Sequence, residues 1–194
     1  MMGIGISGVT GTGKSLLAST YAEQTDYQLV MLKTEALFLK PRMRFKNTSV
    51  VEEFKNILAL LESSYMDAPS RFITNVTPLD IMAELYSVYS WHTLPTEEVD
   101  EMIHAAWAEC CRISTKYLGI IMHIQPFECG ARQEQLNALT VGLIHTRLVI
   151  DIETNMFTVR RSMVDNGDRL TALKHFVHNN MQESSFVTTS SLKH

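Results

Sequence analysis

Gly8-Val9-Thr10-Gly11-Thr12-Gly13-Lys14-Ser15 stands directly behind a short apolar run, Met2 to Ile6, and directly ahead of Leu16-Leu17-Ala18-Ser19-Thr20-Tyr21-Ala22. The octapeptide fits G-x-x-x-x-G-K-[ST], and its flanks supply the strand before and the helix after that such a loop needs. Its residue types answer the chemistry of a polyphosphate. Glycines let the backbone curl with its N–H groups turned inward, the lysine ammonium reaches the outer phosphates, and the serine hydroxyl can ligate Mg²⁺. The helix that follows presents its positive dipole end to the same anion. This reading assigns phosphate contacts to Gly8, Thr10, Gly11, Thr12, Gly13, Lys14, Ser15 and Leu16, with Ser15 as the metal ligand.

The rest of the chain sets the frame for that loop. Its 194 residues are enough for one domain with a core of its own, and 45% apolar with 20% charged residues is ordinary globular composition. No apolar run approaches the length of a membrane-spanning helix, and the first strand begins at the N-terminus, so the expectation is a cytoplasmic protein, in the host cytoplasm if phage-encoded, without membrane attachment. Three cysteines, Cys110, Cys111 and Cys129, lack the spacing of a disulfide framework or a zinc site and read as small apolar residues in a reducing compartment. A net charge of −4 gives no global nucleic-acid footprint. The local exception is Lys40-Pro41-Arg42-Met43-Arg44-Phe45-Lys46: either a solvated loop, or a loop contacting a substrate phosphate or a nucleic-acid backbone through Lys40, Arg42, Arg44 and Lys46. The oligomeric state stays open, a homodimer among the options.

Strand and helix patterns alternate along the chain in the manner of a parallel α/β sheet. A helix over about 14 to 24 is followed by an apolar run from Tyr27 to Leu32, a helix near 49 to 64, and a short strand, Arg71-Phe72-Ile73-Thr74. Pro78 suits the first turn of a helix in which Leu79, Met82, Ala83, Tyr86 and Tyr89 recur at three- and four-residue spacing. A helix over 96 to 115 carries Met102, Ile103, Ala106, Trp107 and Cys110 on one stripe, which places Trp107 in the core. Leu118-Gly119-Ile120-Ile121-Met122-His123-Ile124 is the strongest buried-strand signal, ended by Pro126. A polar stretch from Phe127 to Glu134 then leads into a helix expected to run to about 152, with the alternation over Leu148-Val149-Ile150-Asp151-Ile152 equally suited to a strand. Phe157 to Arg161 reads as the last strand, Asn166-Gly167-Asp168 as a turn, and Arg169 to His178 as the last helix. One domain, 1–180, with a lid near 126–134 is the economical division, leaving 181–194 as a tail.

Function lives in the site rather than the fold, so the class has to be argued by elimination. No Asn-Lys pair exists to begin a guanine-reading N-K-x-D element, and the best apolar strand ends in Gln125-Pro126 rather than in acidic residues. Small kinases remain as the favoured class. Taken in order, the phosphate loop, Lys33-Thr34-Glu35-Ala36, Phe72-Ile73-Thr74-Asn75-Val76-Thr77-Pro78-Leu79-Asp80, Arg132 and Asp168-Arg169-Leu170 resemble the AAA-type phosphate-loop kinases. That group includes the ribosylnicotinamide-kinase domain of bacterial NAD regulators and related phage nucleotide and DNA-modification kinases. The resemblance covers about residues 1 to 180. It implies an α/β three-layer fold with a mostly parallel five-stranded sheet, helices on both faces and a small lid. It also implies ATP with Mg²⁺ and a nucleoside- or nucleotide-type acceptor, with a hydroxymethylated pyrimidine, in DNA or as the nucleotide, as one version.

One stretch departs from that pattern. Where the group reads Asp-Arg-Ser/Thr-Pro-x-Asp, this chain has Asn75 and Val76 in the first two places, and an amide cannot accept a proton as a carboxylate does. The role passes to Asp80 or Glu35, or transfer relies on positioning and charge alone, which a loose phosphoryl-transfer transition state partly permits; the remaining alternative is nucleotide binding without chemistry. Asp80 and Glu35 both follow expected strands on the side where open parallel sheets bind ligands. Asp80 reads equally well as a carboxylate placed for its helix dipole, and Glu35 as surface charge. Arg132, in the expected lid, would neutralise charge on the transferring phosphoryl group or serve as a helix-entry surface residue. The resemblance places Arg169 on the adenine side. Trp91, beside His92 in a loop, is a candidate to stack on a flat acceptor, whereas neither His92 nor His123 has a partner that would give it a catalytic role.

Overall fold

The computed structural model describes residues 2–32, 50–88, 97–144 and 154–190. In chain order the elements are β1 (Met2–Ser7), α1 (Lys14–Glu23), β2 (Gln28–Val30), α2 (Val50–Met66), β3 (Arg71–Thr74), α3 (Pro78–Val88), α4 (Glu97–Tyr117), β4 (Leu118–Ile124), α5 (Ala131–Leu143), β5 (Asn155–Val159) and α6 (Asn166–Ser190). The five strands form one sheet in the order β2-β3-β1-β4-β5, every neighbouring pair parallel. Parallel neighbours need crossovers, and helices on both faces provide them, giving the expected α/β three-layer fold.

Strand alternation divides the core in two. Ile4 and Ile6 of β1 and Ile73 of β3 face α1 and α6, where they meet Leu17, Tyr21 and Leu173. Phe72, Leu118 and Ile121 face the opposite layer, packing with Leu61 and Tyr65 of α2, Met82 of α3 and Trp107 of α4. The glycines that alternate with isoleucine in β1 lie on that second face because there is no room for anything else. A Cβ on Gly3 would stand 2.5 Å from both the Phe72 ring and the Tyr117 carbonyl. The stripe expected to place Trp107 in the core does so: Ile103, Ala106, Trp107 and Cys110 are all buried.

The largest departures from expectation lie at the last strand and the last helix. The last strand lies two residues earlier than Phe157 to Arg161, because Asn155–Val159 pairs in register with Ile120–Ile124 and the Gln125 N–H donates to the Val159 carbonyl at 3.2 Å, leaving Arg160 and Arg161 exposed beyond it. The Asn166-Gly167-Asp168 sequence is the first turn of α6 and not a turn ahead of it. Asp165 Oδ1 accepts the N–H groups of Gly167 at 2.7 Å and Asp168 at 3.1 Å, the satisfaction of free first-turn donors that defines an N-cap. No proline interrupts α6, which continues to Ser190 through most of the segment read as a tail. The expected continuation of α5 to about 152 falls on residues 145–153, outside the described residues. No helix among the described residues is long and apolar enough to cross a membrane.

On the outer surface, Glu62 of α2 accepts hydrogen bonds from Arg112 Nη1 at 2.9 Å, Tyr117 Oη at 3.0 Å and Lys116 Nζ at 3.3 Å. The Arg112 hydrogen bonds hold the Glu62 carboxyl at a pKa of about 2, below its ordinary 4.5. A depressed carboxyl contributes stability that is complete above the ordinary value and is lost as pH falls through the depressed one. Arg112→Leu is therefore expected to cost at most about 1 kcal/mol near neutrality, as exposed pairs do. It should also shallow the loss of stability between pH 4.5 and 2, read by urea titration at a series of pH values.

Candidate active site

β1 and β3 are neighbours, yet β1 continues into α1 on one face and β3 into α3 on the other. Adjacent strands that lead to opposite faces leave a crevice at their carboxyl ends, where ligands bind in open parallel sheets. Residues 8–15 occupy that crevice. Gly8, Gly11 and Gly13 have φ of +142°, +91° and +85°, conformations that side-chain-bearing residues adopt only with strain. At Gly8 space is also limiting, since a Cβ would stand 2.6 Å from the Ile124 carbonyl.

Asp80, in the first turn of α3, lies buried beneath the loop. Its Oδ1 accepts the Ser7 hydroxyl at 2.9 Å and the Gly8 N–H at 3.0 Å; its Oδ2 accepts the Thr77 N–H at 2.8 Å and the Thr77 hydroxyl at 2.9 Å. Four protein donors thus converge on one carboxylate, tying the start of α3 to the start of the phosphate loop. Lys14 is also buried, with its ammonium on the Gly8 carbonyl. Burial pushes its pKa below the usual lysine range, and the nearby Asp80 and Glu84 carboxylates oppose that shift.

Asn75 stands at the end of β3. Its amide donates to Ser15 Oγ at 3.1 Å and to the Leu32 carbonyl at 3.0 Å, and its oxygen accepts the Leu32 N–H at 2.9 Å. The residue that departs from the family pattern is therefore locked between the end of β2 and the serine expected to bind metal. Among the described residues no group of three or more His, Cys, Asp or Glu side chains could hold a metal ion. The donor set still fits Mg²⁺ bound to a nucleotide, an ion that keeps several waters and takes most other ligands from phosphates, with Ser15 supplying a neutral oxygen.

The loop separates two clefts. One, of about 460 Å³, lies between the loop, residues 126–133 and the start of α6; the other, of about 340 Å³, lies between the loop and the ends of β2 and β3 at Leu32 and Asn75. Leu16, Phe127 and Val164, each more than half exposed, line the larger one and give it apolar walls. Arg169 borders that cleft, but its guanidinium is buried against backbone. Nη1 donates to the Thr12 carbonyl and Nε to the Met163 carbonyl, both at 2.7 Å. Arg132, at the start of α5, donates to Glu84 of α3 at 3.0 Å and is about half exposed. Glu35, the Lys40 to Lys46 cluster, Trp91 and His92 fall outside the described residues.

Sequence reasoning missed the groups beneath the loop. Ser7, Thr77, His123 and Asn137 are all buried and polar. Only His123 left a trace in the sequence, as the one ionisable residue in an otherwise apolar strand. Cys110 is the buried small residue expected of it, whereas Cys129 is exposed on the wall of the larger cleft, its thiol donating to Glu134 at 3.2 Å.

No protein-family model matches this chain, and neither does any curated protein. Solved structures do match. Deoxyadenosine kinase from M. mycoides with bound dCTP is similar with a TM-score of 0.63 at 14% identity, over 92% of this chain and 100% of that one. Thymidylate kinase from Candida albicans is similar at 0.54 and 11%, over 93% and 92% of the two chains. The YorR protein from Bacillus subtilis, in complex with phosphorylated GDP, is similar at 0.53 and 9%, over 93% and 98%. The chain has the fold of the phosphate-loop nucleotide kinases.

Proposed function

We propose that this protein is a Mg-ATP-dependent phosphotransferase that moves the γ-phosphoryl group to a nucleoside- or nucleotide-type acceptor. The observation that carries the reading is the pair of clefts on either side of one phosphate loop, which lets a donor and an acceptor approach Lys14 from two directions. The solved structures of similar fold include a deoxyadenosine kinase and a thymidylate kinase, and the reading takes its acceptor class from them.

In this mechanism the base of ATP enters between Phe127 and Val164, and its phosphates follow the loop amides toward the start of α1. Lys14 leaves the Gly8 carbonyl for the outer phosphates, where its charge offsets what accumulates as the bond to the leaving oxygen breaks. Ser15 would hold Mg²⁺, which when bound neutralises phosphate charge. Asp80, with both oxygens occupied by protein donors, acts by fixing Gly8 and leaves no lone pair aimed at an acceptor. Arg132 exchanges Glu84 for the transferring group as the 126–134 segment closes. Glu35 is the carboxylate left to orient the acceptor hydroxyl.

The test is transfer of labelled γ-phosphate from ATP to a panel of nucleosides, nucleoside monophosphates and DNA containing 5-hydroxymethyluracil. A labelled acceptor supports the proposal and names the substrate, with the DNA arm reserved for the phage-modification version. Tight ATP binding with no labelled acceptor favours the second reading, a nucleotide-binding regulatory protein or NTPase, to which Asn75 beside Ser15 lends support. Asn75→Asp bears on the same point. A carboxylate at this place gives up the bond to the Leu32 carbonyl, costing about 1 kcal/mol of stability. In exchange it puts a charge beside the metal ligand, and the Mg²⁺ concentration for half-maximal ATP binding is expected to fall about tenfold, equivalent to about 1.4 kcal/mol.

A further inference from the structure

Beneath the phosphate loop a line of buried side chains crosses from one element to the next, and none of them lines either of the two clefts beside the loop. Ser7 of β1 and His123 of β4 are register partners in the parallel sheet, and Ser7 Oγ lies 3.2 Å from His123 Nδ1. On its other side the imidazole Nε2 lies 3.1 Å from Asn137 Oδ1 of α5. Ser7 and His123 are completely buried, and Asn137 is 3% exposed. Ser7 has a single proton and gives it to Asp80 Oδ1, the atom that also accepts the Gly8 N–H. The contact between Ser7 and the ring then requires the ring to carry its proton on Nδ1. Burial keeps the ring neutral, so Nε2 is an acceptor and the Asn137 amide holds it by presenting its NH₂ there, the oxygen and nitrogen of an amide exchanging places by a flip.

We propose that His123 is a positioning residue for the phosphate loop: gripped by Asn137, it fixes the Ser7 hydroxyl, which sets the Asp80 carboxylate that anchors Gly8. The physical reason is the cost of leaving any member unsatisfied where water cannot enter. With the imidazole pinned at both nitrogens, Ser7 has one orientation, and Asp80 holds Gly8 without a competing donor arrangement. Asn137 lies on the helix whose first turn carries Arg132, so the line also joins the far wall of the larger cleft to the first residue of the loop. The inference uses the reading of the loop as a phosphate site, but its primary test does not.

That test is amide hydrogen exchange at Gly8 in the ligand-free full-length chain. His123→Phe removes both nitrogens and puts a somewhat larger ring in their place; His123→Asn restores a donor close to the Nδ1 position. Gly8 exchange is expected to quicken about tenfold in His123→Phe while the slowest amides of β1 and β4 keep their parent rates, and to return most of the way in His123→Asn. The dissociation constant of a non-hydrolysable ATP analogue should follow the same order, weakening about tenfold, as slight misplacement of a binding group does. Should His123→Phe fail to fold, Asn137→Leu releases the ring without altering it and is expected to quicken Gly8 exchange in the same sense. Ring ¹⁵N shifts of the parent should show Nδ1 protonated. Parent-like Gly8 exchange in the substituted chains, equal acceleration of every core amide, or a ring bearing no proton on Nδ1 would each overturn the proposal. A parent chain that binds no ATP analogue would overturn the kinase reading and leave the Gly8 result to stand by itself.

Discussion

Lys14→Ala is expected to lower γ-phosphoryl transfer by at least about 10²–10³-fold, the loss typical of removing one preorganised charge from a developing anion. The fold should survive it. In the ligand-free protein the ammonium is buried, its charged form is disfavoured by desolvation, and its contact is the loop's own Gly8 carbonyl. Truncating it removes a buried charge along with a hydrogen bond, two effects of opposite sign, so the urea midpoint is expected to stay close to that of the parent. Single-turnover transfer measured beside a urea titration checks both halves. Transfer within tenfold of the parent by a folded Lys14→Ala chain removes the loop from the mechanism.

Asp80→Ala is expected to do the reverse and act first on the fold. The substitution leaves the Ser7 and Thr77 hydroxyls and the Gly8 and Thr77 N–H groups without their acceptor, all in buried residues. Breaking a buried charged cluster by removing one partner costs about 3–5 kcal/mol. Against a total of about 5–15 kcal/mol for a domain, that is a large share. Urea titration at neutral pH reads the loss directly. Asp80→Asn, which retains an acceptor oxygen but turns an amide NH₂ toward two of the four donors, should fall between the alanine variant and the parent. A general base would behave differently, its removal abolishing transfer at parental stability.

The contrast between these two residues shows what kind of information the sequence holds. The loop that carries Lys14 is legible because it is local: eight consecutive residues form it, and the strand and helix on either side are its immediate neighbours. β3 and β4 were legible with the bounds expected of them for the same reason, each a short apolar run closed by a break in pattern. The surroundings of Asp80 were not. Its partners lie three residues away at Thr77 and seventy-three away at Ser7, and only the parallel pairing of β1 with β3 and β4 brings them together. His123 and Asn137 were illegible on the same ground, since a lone histidine in an apolar strand says nothing about which residue will face it.

Arg169 and Arg132 teach a different lesson. Both are expected at the site from the sequence, and in the structure each is held by the protein itself: Arg169 by two backbone carbonyls and Arg132 by a carboxylate on another helix. Sequence pattern can place a cation near a cleft, yet the competition between intramolecular acceptors and an incoming phosphate is settled in three dimensions. The boundary of α6 is a smaller instance. Asn-Gly-Asp carries turn propensity, and the capping carboxylate of Asp165 just ahead of it turned those residues into helix.

The alternation of glycine and isoleucine in β1 has a consequence for how this chain can change over time. On one face a methyl group at Gly3 collides with Phe72 and Tyr117, while on the other Ile4 and Ile6 fill a core with no exposed surface. Enlarging the first face or shrinking the second is penalised alike. The strand that launches the phosphate loop is thus left with almost no neutral substitutions, while the exposed helix faces around it can drift freely. The same three-layer frame is found in proteins to which this chain is only 9% to 14% identical, so few of its positions need be shared for the frame to form.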